Sequence, residues 1–457
     1  MIVLIILTAA GILAMFASVF NGRTVVLPVS LSGLFAAGYF ALLEWNTNAT
    51  YFEAMRMDNF AIAFTVVCLF AAFVFLLFYH YMHYSTDVHY AEVISIILFS
   101  LAGVVAMVSF TSMLMLFLGI EILSLSLYIL AGLKKRDLLS NEASLKYLLM
   151  GAFATGFLLF GIAMLYGATG SFMLSDIAYY LGLHKAVAEP FIVTGIIMLM
   201  IGLLFKVAAA PFHFWTPDVY QGAPTLVTGY MATVGKVAAF AALVRVFQLG
   251  FSPALETYQF LFAAVAVTTM FIGNITALYQ KSVKRMLAYS SISHAGYMLI
   301  ALMAANEVTN GAVLFYSIAY TLASLGAFAV VAILQQKGGS DEVSVFNGLS
   351  KASPLMAITF AVAMISLAGI PPTAGFFAKF YVFSAAISDG WVWITVMAII
   401  NSFISVYYYF APVIASYMKK GNEECIILAT PVKILLAIIA LLTLLVGLLP
   451  GSLSYLI

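Results

Sequence analysis

The stretch Gly202–Pro224, GLLFKVAAAPFHFWTPDVYQGAP, ends a long apolar run and decides the fold, because within that run it places a lysine and the prolines 211 and 217 where a membrane helix tolerates neither. Proline removes a backbone N–H and clashes with the preceding turn, so the run from about residue 191 to 221 is predicted to break near Pro211 and Pro217. Backbone left unpaired at membrane depth survives only inside protein or beside a hydrated cavity. Lys206 lies five residues before Pro211, at the edge of that break. The run 354–388 repeats the arrangement: Ser366–Phe383, SLAGIPPTAGFFAKFYVF, has adjacent prolines at 371 and 372 and a lysine at 379.

Around these two breaks the chain is oily throughout. It is 65% hydrophobic and 8% charged over 457 residues, against about 45–50% apolar and about 25% charged in soluble proteins, which makes it an integral membrane protein. Apolar runs near 20 residues recur along its length, each able to cross a hydrocarbon core of about 30 Å as a helix. Their approximate extents are 2–20, 25–43, 59–80, 91–109, 112–133, 144–168, 191–221, 225–248, 258–279, 285–304, 311–335, 354–388, 391–417 and 431–449. The first lacks a basic leader, its nearest following cation being Arg23, and reads as a retained helix.

Cations set the orientation. With the amino terminus outside, Arg23, Lys134, Lys135, Arg136, Lys146, Lys281, Lys284, Arg285, Lys337, Lys351, Lys419, Lys420 and Lys433 fall on the cytoplasmic side, leaving only Arg56, Lys185 and Arg245 outside. An error of one span would destroy this positive-inside bias. The broken helices are each the fourth in a consecutive set of five, and an odd number of spans reverses the second set. That order predicts two inverted five-helix repeats, with boundaries at 1–84 (three amino-terminal helices), 85–250 (first repeat), 251–418 (second repeat) and 419–457 (a last helix). The expected fold is therefore all-α and polytopic, with about 14 transmembrane helices.

Four charges sit deep in apolar runs: Glu121, Lys206, Lys236 and Lys379. Each costs roughly 2.5–3.5 kcal/mol at the centre of a membrane helix, so they mark an ion path unless something simpler relieves them. For Lys206 and Lys379 the simpler reading is snorkelling to an interface. For Lys236, central in ATVGKVAAF, that is hardest. Glu121 is the one carboxylate deep in any span, and a fixed Glu–Lys clasp between two helices would explain it, but would leave two lysines over. His213 and His294 read as satisfied polar residues, and His80, His83 and His89 as anchors at a cytoplasmic helix end. Asp218 caps a helix or guards a proton entrance, with capping the plainer role.

Other chemistries find little footing. Cys68 and Cys425 are isolated, so an iron–sulfur cluster or CxxC metal site is not expected from this chain alone. A net charge of +1 without a basic stripe argues against nucleic acid. GxGxxG and Walker A patterns do not occur.

GIEILSLSLYILAG (119–132), FKVAAAPFHFWTPDVYQGAPT (205–225), KRMLAYSSISHAGYM (284–298) and the 366–383 segment resemble, in order and over nearly the whole chain, the antiporter-like membrane subunits of respiratory complex I, the proton-translocating NADH:quinone oxidoreductase. The FWTPDVYQGAPT wording, a lysine in the second broken helix and the lack of a long carboxy-terminal extension resemble the N type more than the sister M and L types. The resemblance implies a mid-membrane polar axis: Glu121 and Lys206 as a coupling ion pair, Lys236 as the connecting lysine, Lys379 as the lysine of the second half and His294 as an accessory member. It further implies no redox centre in this chain. NADH, FMN, iron–sulfur clusters and quinone would belong to partner subunits. Those partners would be antiporter-like M and L types, a small K type and a peripheral redox arm, in a bacterial inner membrane. A cation/proton antiporter, or a subunit of one, is the alternative that shares the resemblance, and a structural membrane anchor is a third reading.

Overall fold

A computed structural model describes residues 1–20, 22–84, 89–184, 189–303, 309–421 and 425–452. Lys185, assigned above to the outer side, lies outside these residues.

Helices α1 (Ile2–Val19), α2 (Arg23–Leu43) and α3 (Asn59–His83) form the amino-terminal set, with a small antiparallel hairpin, β1 (Ala49–Tyr51) and β2 (Met55–Met57), on the outer side between α2 and α3. Asp58 starts α3 by accepting the Ala61 amide at 2.9 Å, which satisfies one of the donors a helix leaves open at its first turn. The hairpin was too short to read from sequence. It is tied down where Tyr51 donates to Glu44 Oε1 at 2.5 Å.

The first set of five contains α4 (Tyr90–Ser109), α5 (Met113–Ala131) and α6 (Leu138–Thr169). A short α7 (Leu174–His184) follows, then the broken pair α8 (Pro190–Val207) and α9 (Trp215–Gly222), and last a helix over 225–250. That helix divides into α10 (Thr225–Tyr230), a wide π turn (Met231–Gly235), α11 (Lys236–Arg245) and a second π turn (Val246–Gly250). The second set comprises α12 (Leu255–Leu278), α13 (Val283–Met303), α14 (Thr309–Gly338), the single-turn α15 (Leu349–Ala352), the broken pair α16 (Pro354–Ala368) and α17 (Ala374–Ser388), and α18 (Val392–Met418). Finally α19 (Thr430–Leu448) crosses alone.

Among the described residues twelve helices are long and apolar enough to span a membrane. With α1 and the α16/α17 pair these make the fourteen crossings that the apolar runs predicted. The helix expected from 144 begins six residues earlier, where Asp137 caps it by accepting the Leu139 amide at 3.0 Å. Helix α7 is a departure from the sequence reading: LSDIAYYLGLH is too short and polar to cross, and it lies between crossings.

Both breaks form where the prolines demand. Helix α8 ends on Ala208 in the left-handed region (φ 61°), and α16 ends on Gly369 (φ 82°). The Ala210–Pro211 and Pro371–Pro372 bonds are cis. One finding departs from simple inversion. Lys206 precedes its break in the chain and Lys379 follows its own, so the two lysines are not equivalent positions of an inverted repeat. Because α8 runs inward and α17 outward, both instead lie on the half-helix nearer the outer face. The 225–250 helix, α13 and α14 form the buried centre, where nearly every side chain is enclosed by protein.

Candidate functional site

Lys236 and His294 lie in this centre, while Glu121, Lys206 and Lys379 stand on the helices α5, α8 and α17 around it. Lys236, Lys379 and His294 are buried, while Glu121 and Lys206 are half-buried. Each lysine turns to a neighbouring helix instead of running out along its own, so snorkelling does not account for them. Each ammonium instead finds oxygen atoms at its own depth, as a buried charge must.

Lys206 extends from the last turn of α8 to α5, donating to Ser124 Oγ at 2.7 Å and to Tyr128 Oη at 3.4 Å. Ser124 passes the contact on to the Ile120 carbonyl at 2.5 Å. Glu121, Ser124 and Tyr128 follow one another at helical spacing on α5, so the carboxylate sits about one turn from the ammonium's partner. Glu121 lies within Coulombic reach of Lys206, yet the two are not in ion-pair contact. Its Oε1 is buried with no hydrogen-bond partner among the described residues. The coupling pair implied by resemblance is thus found open.

Between Lys206 and Lys236 lies a cavity of about 20 Å³ lined by Ser124, Tyr147, Lys206, Tyr220, Gly235 and Lys236. A water needs about 10–15 Å³ of such volume and two to four polar neighbours, and this cavity meets both conditions. Lys236 begins α11 immediately after the π turn, a widening of the helix often found at functional sites. Its ammonium donates to the Ser291 carbonyl, and to Ser291 Oγ at 2.5 Å, on α13.

Helix α13 then carries the run onward. Ser290, next to Ser291, contacts Tyr409 Oη. That hydroxyl is 3.1 Å from His294 Nε2, while His294 Nδ1 is 2.6 Å from Tyr316 Oη. One turn along α13, Tyr297 Oη accepts from Asn274 at 3.2 Å, and Asn274 Oδ1 accepts from Tyr408 at 2.9 Å. The Tyr297 ring also faces Lys379, whose Nζ stands 4.9 Å from its centroid.

Lys379 completes the series. It donates to the Ala368 carbonyl and to Ser402 Oγ, both at 2.8 Å. Ala368 ends α16, so its carbonyl belongs to the negative end of a helix dipole and suits a cation. A cavity of about 290 Å³ opens beside the amine, and Phe380 and Phe403 at its rim are exposed on the lateral surface of the molecule.

Asp218 is no helix cap. From the first turn of α9 it joins two cations, Lys146 at 2.7 Å and Arg285 at 2.9 Å. His213 stacks on Phe214, with ring centroids 4.6 Å apart, and takes no hydrogen bond with the run. Sequence reading named the five titratable residues and missed the hydroxyl and amide groups between them. Ser290, His294 and Tyr297 recur at helical spacing in YSSISHAGY, which is the signal that would have found them. Among the described residues no three His, Cys, Asp or Glu side chains gather as a metal site.

Comparison with known proteins gives the family of the chain. The family described as NADH:quinone oxidoreductase/Mrp antiporter, TM, matches residues 110–405. The NADH-quinone oxidoreductase subunit N of Trichlorobacter lovleyi is 39% identical over 454 residues, covering 98% of this chain and 93% of its own. That of Cytophaga hutchinsonii is 40% identical over 459 residues, covering 98% of each. A chain of respiratory complex I from Thermus thermophilus superposes with a TM-score of 0.85 at 34% identity, over 99% of this chain and 98% of that one. A chain of the Mrp complex from a Dietzia species shares the fold, with a TM-score of 0.85 at 19% identity, over 99% of this chain and 94% of that one. From its sequence and its fold, the chain belongs to the NADH-quinone oxidoreductase subunit N family.

Proposed function

We propose that this chain translocates protons as a membrane-arm subunit of a bacterial NADH:quinone oxidoreductase, by a relay running from Glu121 and Lys206 through Lys236, Ser291 and His294 to Lys379. The observation that carries this reading is the series of polar groups from Ser124 to Ser402: hydrogen bonds at Lys206, Lys236, His294 and Lys379, room for a water between Lys206 and Lys236, succession along α13 from Ser290 to Tyr297, and a ring contact from Tyr297 to Lys379. A static clasp needs one pair of charges. It does not need hydroxyl and amide groups spaced along α13.

Energetics fit the task. Moving one charge outward against roughly 150–200 mV costs about 3.5–4.6 kcal/mol. A Glu–Lys pair at about 4 Å is worth about 4 kcal/mol at an effective dielectric of about 20, and about half that when the separation doubles. Closing and opening the Glu121–Lys206 pair therefore changes the hold on the Lys206 proton by an amount of the right order, and desolvation of the amine supplies more. With the pair closed the proton is held. With it open, as here, Lys206 rests on Ser124 and its proton is free to move toward Lys236 by way of the small cavity.

The driving energy enters from outside the chain. NADH, FMN, iron–sulfur clusters and quinone act in partner subunits of the redox arm. Glu121, among the exposed Leu118, Ile122 and Leu125, and the lateral cavity at Lys379 are the flanks on which neighbouring K-type and M- or L-type membrane subunits would sit. Residues 1–84 brace the first repeat (85–250), the second repeat (251–418) carries the exit half of the relay, and 419–457 closes that half.

The decisive test is proton translocation by the assembled complex in vesicles. Lys206→Ala or Glu121→Ala is expected to depress translocation coupled to quinone reduction while assembly is retained. Normal pumping by an assembled Glu121→Ala complex refutes the pairing role. Proton flux that persists without NADH oxidation would instead favour a free-standing antiporter.

A further inference from the structure

On the 225–250 helix, Arg245 follows Lys236 by nine residues, an axial distance of about 13 Å. Every residue between them is apolar and buried. Arg245 is itself 2% exposed, the only outer-side cation enclosed in this way among the described residues. Its Nη2 donates to Asp58 Oδ1 at 2.6 Å, and its guanidinium carbon lies 5.2 Å from the centre of the Phe60 ring. Asp58 cannot drift, since the same oxygen caps α3.

That pairing uses one nitrogen. Nε and Nη1 of Arg245 are buried and have no hydrogen-bond partner among the described residues. A guanidinium carries five N–H donors and cannot shed its charge, so donors left over in the interior call for a ligand. The enclosure keeps lipid headgroups away, and Asp58 already supplies the anionic partner. Water is the ligand that fits.

A second orphan lies on the same seam. Helix α3 runs antiparallel to the 225–250 helix: Asp58 meets Arg245 at one end, and Phe75 meets Tyr230, with ring centroids 5.2 Å apart, at the other. This register puts Thr65 between Lys236 and Arg245 in depth. Its hydroxyl is buried without a partner among the described residues, whereas other buried hydroxyls such as Thr233 and Ser95 bond back to their own helix, at 2.8 Å each. The helix also widens into its second π turn directly after Arg245.

We propose that Arg245, held by Asp58, is the outer seal of the relay: a fixed cation that binds buried water on Nε and Nη1 and turns protons back at the α3–α11 seam. This rests on the proton-relay reading above and adds a part that reading does not contain. The carboxylate stands on the partly exposed side and the guanidinium on the buried side. A proton leaving Lys236 along this seam therefore meets a positive charge first, in surroundings too apolar to screen it.

The test is passive proton flux in vesicles holding the whole complex, under an imposed pH gradient and without NADH. Arg245→Gln is expected to raise that flux several-fold and to lower the gradient reached per NADH, with NADH oxidation itself retained. Flux equal to that of the unmodified complex, with assembly intact, overturns the seal. Should Arg245→Gln fail to assemble, a high-resolution map of the unmodified complex decides: ordered solvent on Nε and Nη1 supports the proposal and a dry site overturns it. The two readings separate cleanly: normal pumping in Lys206→Ala ends the relay and the seal with it, whereas lost pumping in Lys206→Ala with unchanged passive flux in Arg245→Gln overturns the seal alone.

Discussion

Gly369 shows how closely the chain is fitted around one amine. Its φ of 82° is open to glycine at no cost, and a Cβ there would stand 2.8 Å from Lys379 Cδ and 3.1 Å from Nζ. Gly369→Ala therefore carries about 1–2 kcal/mol for the left-handed backbone and must also push Lys379 away from the Ala368 carbonyl. The expected outcome is an assembled complex of lower thermal stability whose proton translocation per NADH is reduced. Wild-type values for both would mean that Lys379 does not need its seat on the end of α16. At this scale the charges were legible in the sequence because a lone charge in an apolar run has so few alternative explanations. Their partners were not. A serine in a membrane helix usually bonds to its own backbone, as Ser317 does to Val313 at 2.7 Å, so nothing in its spelling separates it from Ser402, which receives Lys379.

Helix α13 ties the two halves together. It carries the groups of the proposed relay from Ser290 to Tyr297, and its first turn grips the broken helix of the other half: Lys284 donates to the carbonyls of Gln221 at 2.9 Å and Ala223 at 2.8 Å, and Arg285 donates to Asp218 and Gln221, both at 2.9 Å. Those carbonyls end α9, where a cation satisfies acceptors that the helix leaves open. Lys284 is almost fully enclosed, so Lys284→Met would strand buried acceptors at a cost of about 1–3 kcal/mol and free the cytoplasmic end of α9. We expect faster thermal inactivation of the complex and a smaller loss for Lys284→Arg. Equal stability of the methionine variant would show that α9 is held by packing alone. Elements were read well where hydropathy speaks and poorly elsewhere. The crossings and both breaks follow from apolar length and proline. The outer hairpin and α7 have neither signature, and the two π turns leave no mark in composition.

Across the whole molecule, the proposed relay makes position along the path matter more than any single contact. Lys206 and Lys379 belong to different broken helices, with Lys236 and α13 between them. Two sites that act separately lose activity additively when both are changed, whereas two links of one path do not. If protons pass in series, Lys206→Met combined with Lys379→Met is expected to lower translocation no further than the more harmful single change. If each half pumps alone, the double variant would lose the sum of the two effects. The measurement is the initial rate of vesicle acidification per NADH oxidised, for wild type, both singles and the double, at equal amounts of assembled complex. An additive result would divide the chain into two independent pumps and leave the contacts along α13 as packing. A non-additive one would make α13 the wire, and would explain why the helix at the centre of the protein is also the one that grips the broken helix of the opposite half.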